Sequence, residues 1–351
     1  MGLFGRRKSE EELEDEIYEE EEELRKTKRK LKDLNPQNKR SRKEPIKPWT
    51  KADRMLVGGV FFGTVVIALI LFAFSVDWKL PGLPRIGFPT FKPDEDVLTI
   101  NKEDRETAQK IKDEVNIESK KLSGTYAFSY IRLDDGFSFG LNDSVKMNAA
   151  SLMKIPVLIA YFKSYEKGEV NLEEQYVLAN SDKQTGSGSL SGKPAGTKIT
   201  YKELVYLMGK ESDNTAMKIV SSKIGEEKIK AVIKEAGMIN TDYSEWETTA
   251  SDMAELFYKL YKGDLVSQKS KDMILDSITN TIYENVIPAG IDDNIKIAHK
   301  YGRELHIIHD AGIIFGKEPY VLAVMSKSIL DKEGEVFIPQ IVSLIHLGIG
   351  N

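Results

Sequence analysis

Cysteine is absent from the 351 residues. That absence excludes a disulfide scaffold, a thiolate metal site, a cysteine nucleophile and a thioether-linked lipid anchor. Histidine is scarce. The four present, His299, His306, His309 and His346, crowd the C-terminal end without an H-E-x-x-H spacing, so a histidine-built metal site is not expected. An excess of basic charge is lacking too: 50 basic against 55 acidic residues leave a net charge of −5, which argues against a general nucleic-acid binder. No internal repeat is visible. What remains is a chain that is 41% hydrophobic, apolar enough for a packed core, and about twice the length of a typical ~150-residue domain.

Charge is missing most abruptly at residues 55–75, MLVGGVFFGTVVIALILFAFS. A helix of this length crosses a hydrocarbon core of roughly 30 Å, and the run has no polar face, so a transmembrane helix is expected. Because 54 residues precede it, the run reads as an uncleaved anchor rather than a signal peptide. Lys39, Arg40, Arg42, Lys43, Lys47, Lys51 and Arg54 lie before it, whereas Asp77 and Lys79 follow. The positive-inside bias then puts the N-terminus in the cytoplasm and the rest of the chain outside the plasma membrane.

Four zones follow from this. Residues 1–54 are a cytoplasmic tail of opposite charge blocks. Leu13, Ile17, Leu24, Leu31 and Leu34 are spaced like a heptad seam, but Glu20 and Thr27 interrupt it. A solvated or disordered tail is favoured, with weak self-association left open. Residues 55–75 are the membrane helix. Residues 76–97 hold four prolines and read as a semi-rigid spacer. Residues 98–351 are the globular domain. Within it, TYAFSYIRL and FSFGL flank Asp134-Asp135-Gly136 as a hairpin. Helical patterns fill 151–167, 201–222, 226–236 and 249–262, strands return at 295–301, 304–314 and 319–326, and a helix closes the chain near 334–349. Strands first and last with helices between imply an α+β fold, one antiparallel sheet formed by both chain ends with an all-helical subdomain inserted.

Three short motifs bear chemistry. Ser151 precedes Lys154 by three residues at the start of an apolar helix, so one turn brings the amine over the hydroxyl, and a neutral amine activates a serine nucleophile. A second S-x-x-K, Ser164 and Lys167, reads as helix surface. Ser212-Asp213-Asn214 follows the apolar helix LVYLMGKE, where Asp213 also suits a helix cap. Lys300-Tyr301-Gly302 lies on a strand, where glycine permits close approach of a ligand backbone.

In this order the motifs resemble the signatures S-x-x-K, S-D-N and K-T-G of the serine β-lactamase and penicillin-binding protein superfamily, and in particular its class A β-lactamase-like branch. The segments TGSGSL, ESDNTAMKIV, ETTASDMAELF, IPAGIDDNIKIAHKYG and IHDAGIIFGKEPYVLAVMS look like family segments in the same order. The resemblance covers roughly residues 98–351. It implies a β-lactamase/transpeptidase-like fold, acyl transfer through an acyl-serine, and no metal or organic cofactor. By that resemblance Ser151 is the nucleophile, Lys154 its general base, and Ser212 the proton relay to the leaving nitrogen. Asn214 contacts the substrate amide, and Lys300 faces the substrate carboxylate and helps hold Ser212. The backbone N–H groups of Ser151 and Arg303 form the oxyanion hole beside Gly302.

Two departures stand against the pattern. Tyr301 occupies the place of a small hydroxyl residue that would face the substrate carboxylate. The family's E-x-x-L-N loop, source of the deacylating glutamate, has no counterpart; the chain is shorter there by about fifteen residues, near 238–248. Glu247 and Glu245 are the candidates for that base. Acylation without a positioned base leaves hydrolysis slow. The expected activity is therefore opening of β-lactam rings by a membrane-anchored serine hydrolase. A D-alanyl-peptide carboxypeptidase or transpeptidase-like cell-wall enzyme is the alternative, and a catalytically weak binding or sensor module a second.

Overall fold

The charge-free run folds as one continuous helix, α1 (Lys51–Ser75), in a computed structural model that describes residues 50–75, 95–291 and 294–350. The tail seam and most of the spacer fall outside the described residues. The chain divides into two compact units, Met1–Pro89 and Thr90–Asn351. In α1 the side chains of 51, 54–66 and 68 are described, and the large apolar ones, among them Met55, Leu56, Phe61 and Phe62, are exposed. No helix among the described residues is long and apolar enough to cross a membrane.

The second unit opens earlier than residue 98, with α2 (Glu95–Ser119). Pro93 is the last proline before Pro156, and the two acidic residues that begin the helix complement its N-terminal dipole. Then come β1 (Thr125–Arg132), β2 (Ser138–Leu141) and β3 (Met147–Asn148), followed by α3 (Lys154–Glu166). The inserted region continues with β4 (Gln175–Val177), β5 (Lys198–Thr200), α4 (Tyr201–Lys210), α5 (Asn214–Ile224) and α6 (Glu226–Glu235). It ends with β6 (Glu247–Thr248), α7 (Ala250–Lys262) and α8 (Gln268–Ser277), before β7 (Ile297–Glu304), β8 (Ile307–Ile314), β9 (Tyr320–Lys327) and α9 (Asp331–Ile349). The main sheet runs β2-β1-β9-β8-β7, antiparallel throughout. β1 pairs with β9 from Thr125↔Lys327 to Arg132↔Tyr320, so strands from the two ends of the domain share one sheet, as expected.

The sheet is buried on both faces. Alternation along β1 separates Tyr126, Phe128 and Tyr130, packed with α2 and α9, from Ala127 and Ile131, packed with the helical region. β9 repeats the split, with Tyr320, Leu322 and Val324 on one face and Val321, Ala323 and Met325 on the other. The pattern in TYAFSYIRL is thus large against small rather than buried against exposed.

Three expectations are corrected here. The helix expected over 151–167 begins with a 3₁₀ turn, Ala150–Met153, before α3 proper. The 201–222 helix breaks into α4 and α5, because Ser212 takes the left-handed φ of 55° and Asp213 caps a new helix. Ser164 is buried, not on the surface, since α3 is apolar on nearly every side and runs through the core. The pairings β3–β6 and β4–β5 and the helix α8 have no sequence pattern long enough to announce them.

Candidate active site

A braced turn sets the position of Ser151. Ala150 adopts φ 44°, a left-handed conformation unfavourable for a residue with a Cβ. Four bonds hold the turn. Ala150 N–H donates to Asn148 Oδ1 at 2.8 Å, and Ala149 N–H to Trp246 O at 2.7 Å. Trp246 Nε1 donates to Ala150 O at 3.0 Å, and the Asn148 carbonyl in turn meets His309 Nε2 at 2.8 Å. Ser326 N–H donates to His309 Nδ1 at 3.1 Å, so Nε2 carries the proton and the ring is neutral. Burial holds this imidazole down to about 4, consistent with that tautomer.

The 3₁₀ turn repeats every three residues, so Lys154 stands over Ser151, with Nζ 2.8 Å from Oγ. The amine also donates to Asn214 Oδ1 at 2.8 Å and to Ser212 Oγ at 3.3 Å. Burial lowers the Lys154 pKa to about 8, against the opposing charges of Asp213 and Glu304. Ser151, Lys154, Ser212 and Asn214 are therefore one hydrogen-bonded group, drawn from two motifs sixty residues apart.

The segment TGSGSL explains how the second motif is held. Ser187 Oγ donates to Ser212 O at 2.8 Å, Asn214 N–H to Ser187 O at 3.1 Å, and Asn214 Nδ2 to Thr185 O at 2.9 Å. Gly188 has φ 98°, and a Cβ on it would stand 2.1 Å from Asp213 Oδ2. The fully buried Asp213 carboxylate accepts from Ala216 N–H and Leu190 N–H, both at 2.8 Å. Removing a helix cap costs about 1 kcal/mol and orphaning a buried N–H about 1–3. Asp213→Ala is thus expected to lower unfolding free energy by about 3 kcal/mol in a urea titration; a loss under 1 kcal/mol would show that the loop relaxes around the gap.

The third motif lies on β7, an edge strand. His299 N–H donates away from β8, to Ile278 O at 2.8 Å; by alternation, the N–H groups of Tyr301 and Arg303 point the same way, toward the cleft. Gly302 packs against Ser151, where a Cβ would meet Ser151 N at 3.2 Å. The Lys300 amine is buried and donates to Tyr301 O at 2.9 Å, where Ser212 was expected as its partner. Burial first, and the nearby Lys154 charge second, push it well below the usual lysine range. Tyr301 is nearly buried, its ring stacked on Tyr283 at 5.0 Å and 19°. The Arg303 guanidinium is tied to Glu335 at 2.7 Å and Asp331 at 3.1 Å.

A cavity of about 710 Å³ has walls that include Ser151, Lys154, Ser212, Asn214, Trp246, Tyr283, Asn285, Tyr301, Arg303 and Glu304, but not the buried Lys300. Glu247 and Glu245 are not among them. Glu247 pairs across β3–β6 with Asn148, and Glu245 is exposed. Between them Trp246, at φ 57°, turns its indole into the cleft in their place. Trp246, Tyr283, Asn285 and Glu304 are among the wall residues that motif reading did not assign.

The family model described as the beta-lactamase enzyme family matches residues 106–347. The β-lactamase VEB-1 of Pseudomonas aeruginosa is 26% identical over 193 residues, 47% of this chain and 64% of that protein; the chain thus spans under two thirds of VEB-1's length. Among solved structures, PBP-A is 27% identical, with a TM-score of 0.64 over 70% of this chain and 96% of that one, and a mutant of it is solved as an acyl-enzyme with penicillin G. A β-lactamase from Sphaerobacter thermophilus is 26% identical, with a TM-score of 0.64 over 67% and 95%.

Proposed function

Because the chain belongs to the β-lactamase enzyme family over residues 106–347, we propose that it opens β-lactam rings by acylation of Ser151, as a serine hydrolase anchored in the plasma membrane through residues 55–75. The observation that carries the reading is the 2.8 Å approach of Lys154 Nζ to Ser151 Oγ within the cavity. The neutral amine of Lys154 takes the Ser151 proton as Oγ attacks the lactam carbonyl. The carbonyl oxygen gains negative charge and is held by the N–H groups of Ser151 and Arg303, the preorganised kind of donor that contributes most to such reactions. As the C–N bond breaks, Ser212 passes the proton from Lys154 to the departing nitrogen, leaving an ester on Ser151. Asn214 meets the substrate amide, and the Lys300 end of the cleft takes the carboxylate.

One observation favours slow turnover. No carboxylate from the 238–248 region reaches the cavity, so the water that must hydrolyse the ester lacks the base the family supplies there. In that case the enzyme behaves as a penicillin-binding protein acting on D-alanyl peptides. The anchor rests on the 21 uncharged residues of 55–75 and on the basic residues before them; the tail then lies in the cytoplasm and the hydrolase outside.

Intact-protein mass during incubation of the detergent-solubilised chain with benzylpenicillin tests both parts. An adduct is expected on the wild type and on Ser164→Ala, and none on Ser151→Ala. Decay of the adduct within minutes indicates a β-lactamase, persistence a penicillin-binding enzyme, and absence of any adduct refutes acylation. Recovery of the protein from membranes by salt alone would refute the anchor.

A further inference from the structure

Charge on β7 is arranged on both sides of the nucleophile. Two-residue alternation puts Lys300, Gly302 and Glu304 on one face of the strand, the face shared with Ala298 toward the helical region. Gly302 marks the position of Ser151 along it. At about 3.3 Å per residue, the Cα of Lys300 lies about 6.6 Å to one side and that of Glu304 about 6.6 Å to the other. On the Lys300 side lie two amines, Lys154 on the cavity wall and Lys300 fully buried, each held toward its neutral form by burial. On the other side Glu304 lines the cavity beside Asn148, whose Nδ2 donates to its carboxylate at 3.3 Å. Among the described wall residues Glu304 supplies the only carboxylate. The one other charged group at that end, Arg303, is already matched by Glu335 and Asp331. The cleft is therefore asymmetric along the strand, with amines at one end and a carboxylate at the other, and with the Lys300 end given to the substrate carboxylate, Glu304 stands toward the acyl group.

We propose that Glu304 is a specificity-determining residue that selects acyl donors bearing a protonated amine on the acyl side of the scissile bond. The proposal rests on acylation at Ser151. Glu304 is exposed, so its field is screened and its effect falls with salt. An exposed pair changes affinity up to about fivefold, and attraction of one probe with repulsion of another combine to about tenfold.

Three penicillins of nearly the same shape test it: benzylpenicillin, its α-amino derivative and its α-carboxy derivative. With the full chain in detergent, the second-order acylation rate is read by intact mass. The amino compound is expected to acylate about tenfold faster than the carboxy compound at low salt, with the ratio shrinking in 0.5 M sodium chloride. Glu304→Gln, which keeps an acceptor for Asn148, is expected to bring the two within about twofold. Equal rates on the wild type, or a preference that survives in Glu304→Gln, overturn the proposal while leaving acylation standing. Failure of all three penicillins to form an adduct removes the Ser151 reading, and the proposal with it.

Discussion

Lys154→Met is expected to slow acylation of Ser151 by about 10³-fold, in the range measured for loss of a positioned general base. Its Nζ is the only amine bonded to Ser151 Oγ among the described residues, and it bonds Ser212 and Asn214 as well, so a single substitution removes both the base and the relay's starting point. The pH dependence separates this from a packing effect. Burial brings Lys154 to about 8, so the amine is mostly protonated at pH 7 and the wild-type acylation rate should climb through pH 8 and level off above it. The methionine variant, with no titrating base, should give a flat profile at a low rate. A profile for the variant that still rises through pH 8 would assign the base elsewhere. Rates come from stopped addition of benzylpenicillin followed by intact mass across pH 6 to 10.

A loss of about 3–5 kcal/mol is expected for Asp310→Asn, the cost of breaking one side of a buried ion pair. Both Asp310 and His299 are fully buried. The Asp310 carboxylate accepts from His299 Nδ1 at 2.8 Å and from Ile287 N–H at 3.0 Å, while Glu284 and Thr281 face the other ring nitrogen at 3.4 Å. Burial opposes charge on the imidazole, but Asp310 and Glu284 overcome it and raise the pKa to about 9. A raised pKa fixes the sign. The pair's stabilisation is complete below the unfolded value of about 6.5 and is lost as pH rises through 9. Urea unfolding should therefore show a wide gap between wild type and variant at pH 6 and a narrow one at pH 10. A gap independent of pH would mean that His299 is uncharged in the fold. Because His299 neighbours Lys300 on β7, the variant should also disturb the strand that closes the cleft.

The hydrogen-bonded group around Ser151 was legible because its contacts are local. Ser151 and Lys154 lie within one turn, and Ser212 and Asn214 flank a cap that Asp213 advertises. The sheet was legible from strands at the two ends of the domain. What escaped depends on where a chain bends. Whether 245–247 offers a carboxylate or an indole to the cleft is decided by the positive φ of Trp246 and the pairing of Asn148 with Glu247, neither of which has a sequence period. Glu304 belongs to none of the motifs, and only the edge position of β7 puts it on the cavity wall. Ser164 was misplaced because its spacing fits a helix surface, and only the surrounding core shows that α3 has almost none. His299 and Asp310 were opaque for the opposite reason: each is a polar residue in an apolar strand, and their partnership exists only through the pairing of β7 with β8.

Trp246 gives the cleft an optical property as well. It is the single indole of residues 90–351, the other two, Trp49 and Trp78, belonging to the first unit. Its Nε1 is bonded to the carbonyl of the residue before the nucleophile, so its emission is sensitive to polarity next to the reacting bond. Filling of the cleft thus changes the fluorescence of one residue over a constant background from the other two. The protein reports its own occupancy, without dye, chromophore or engineered label.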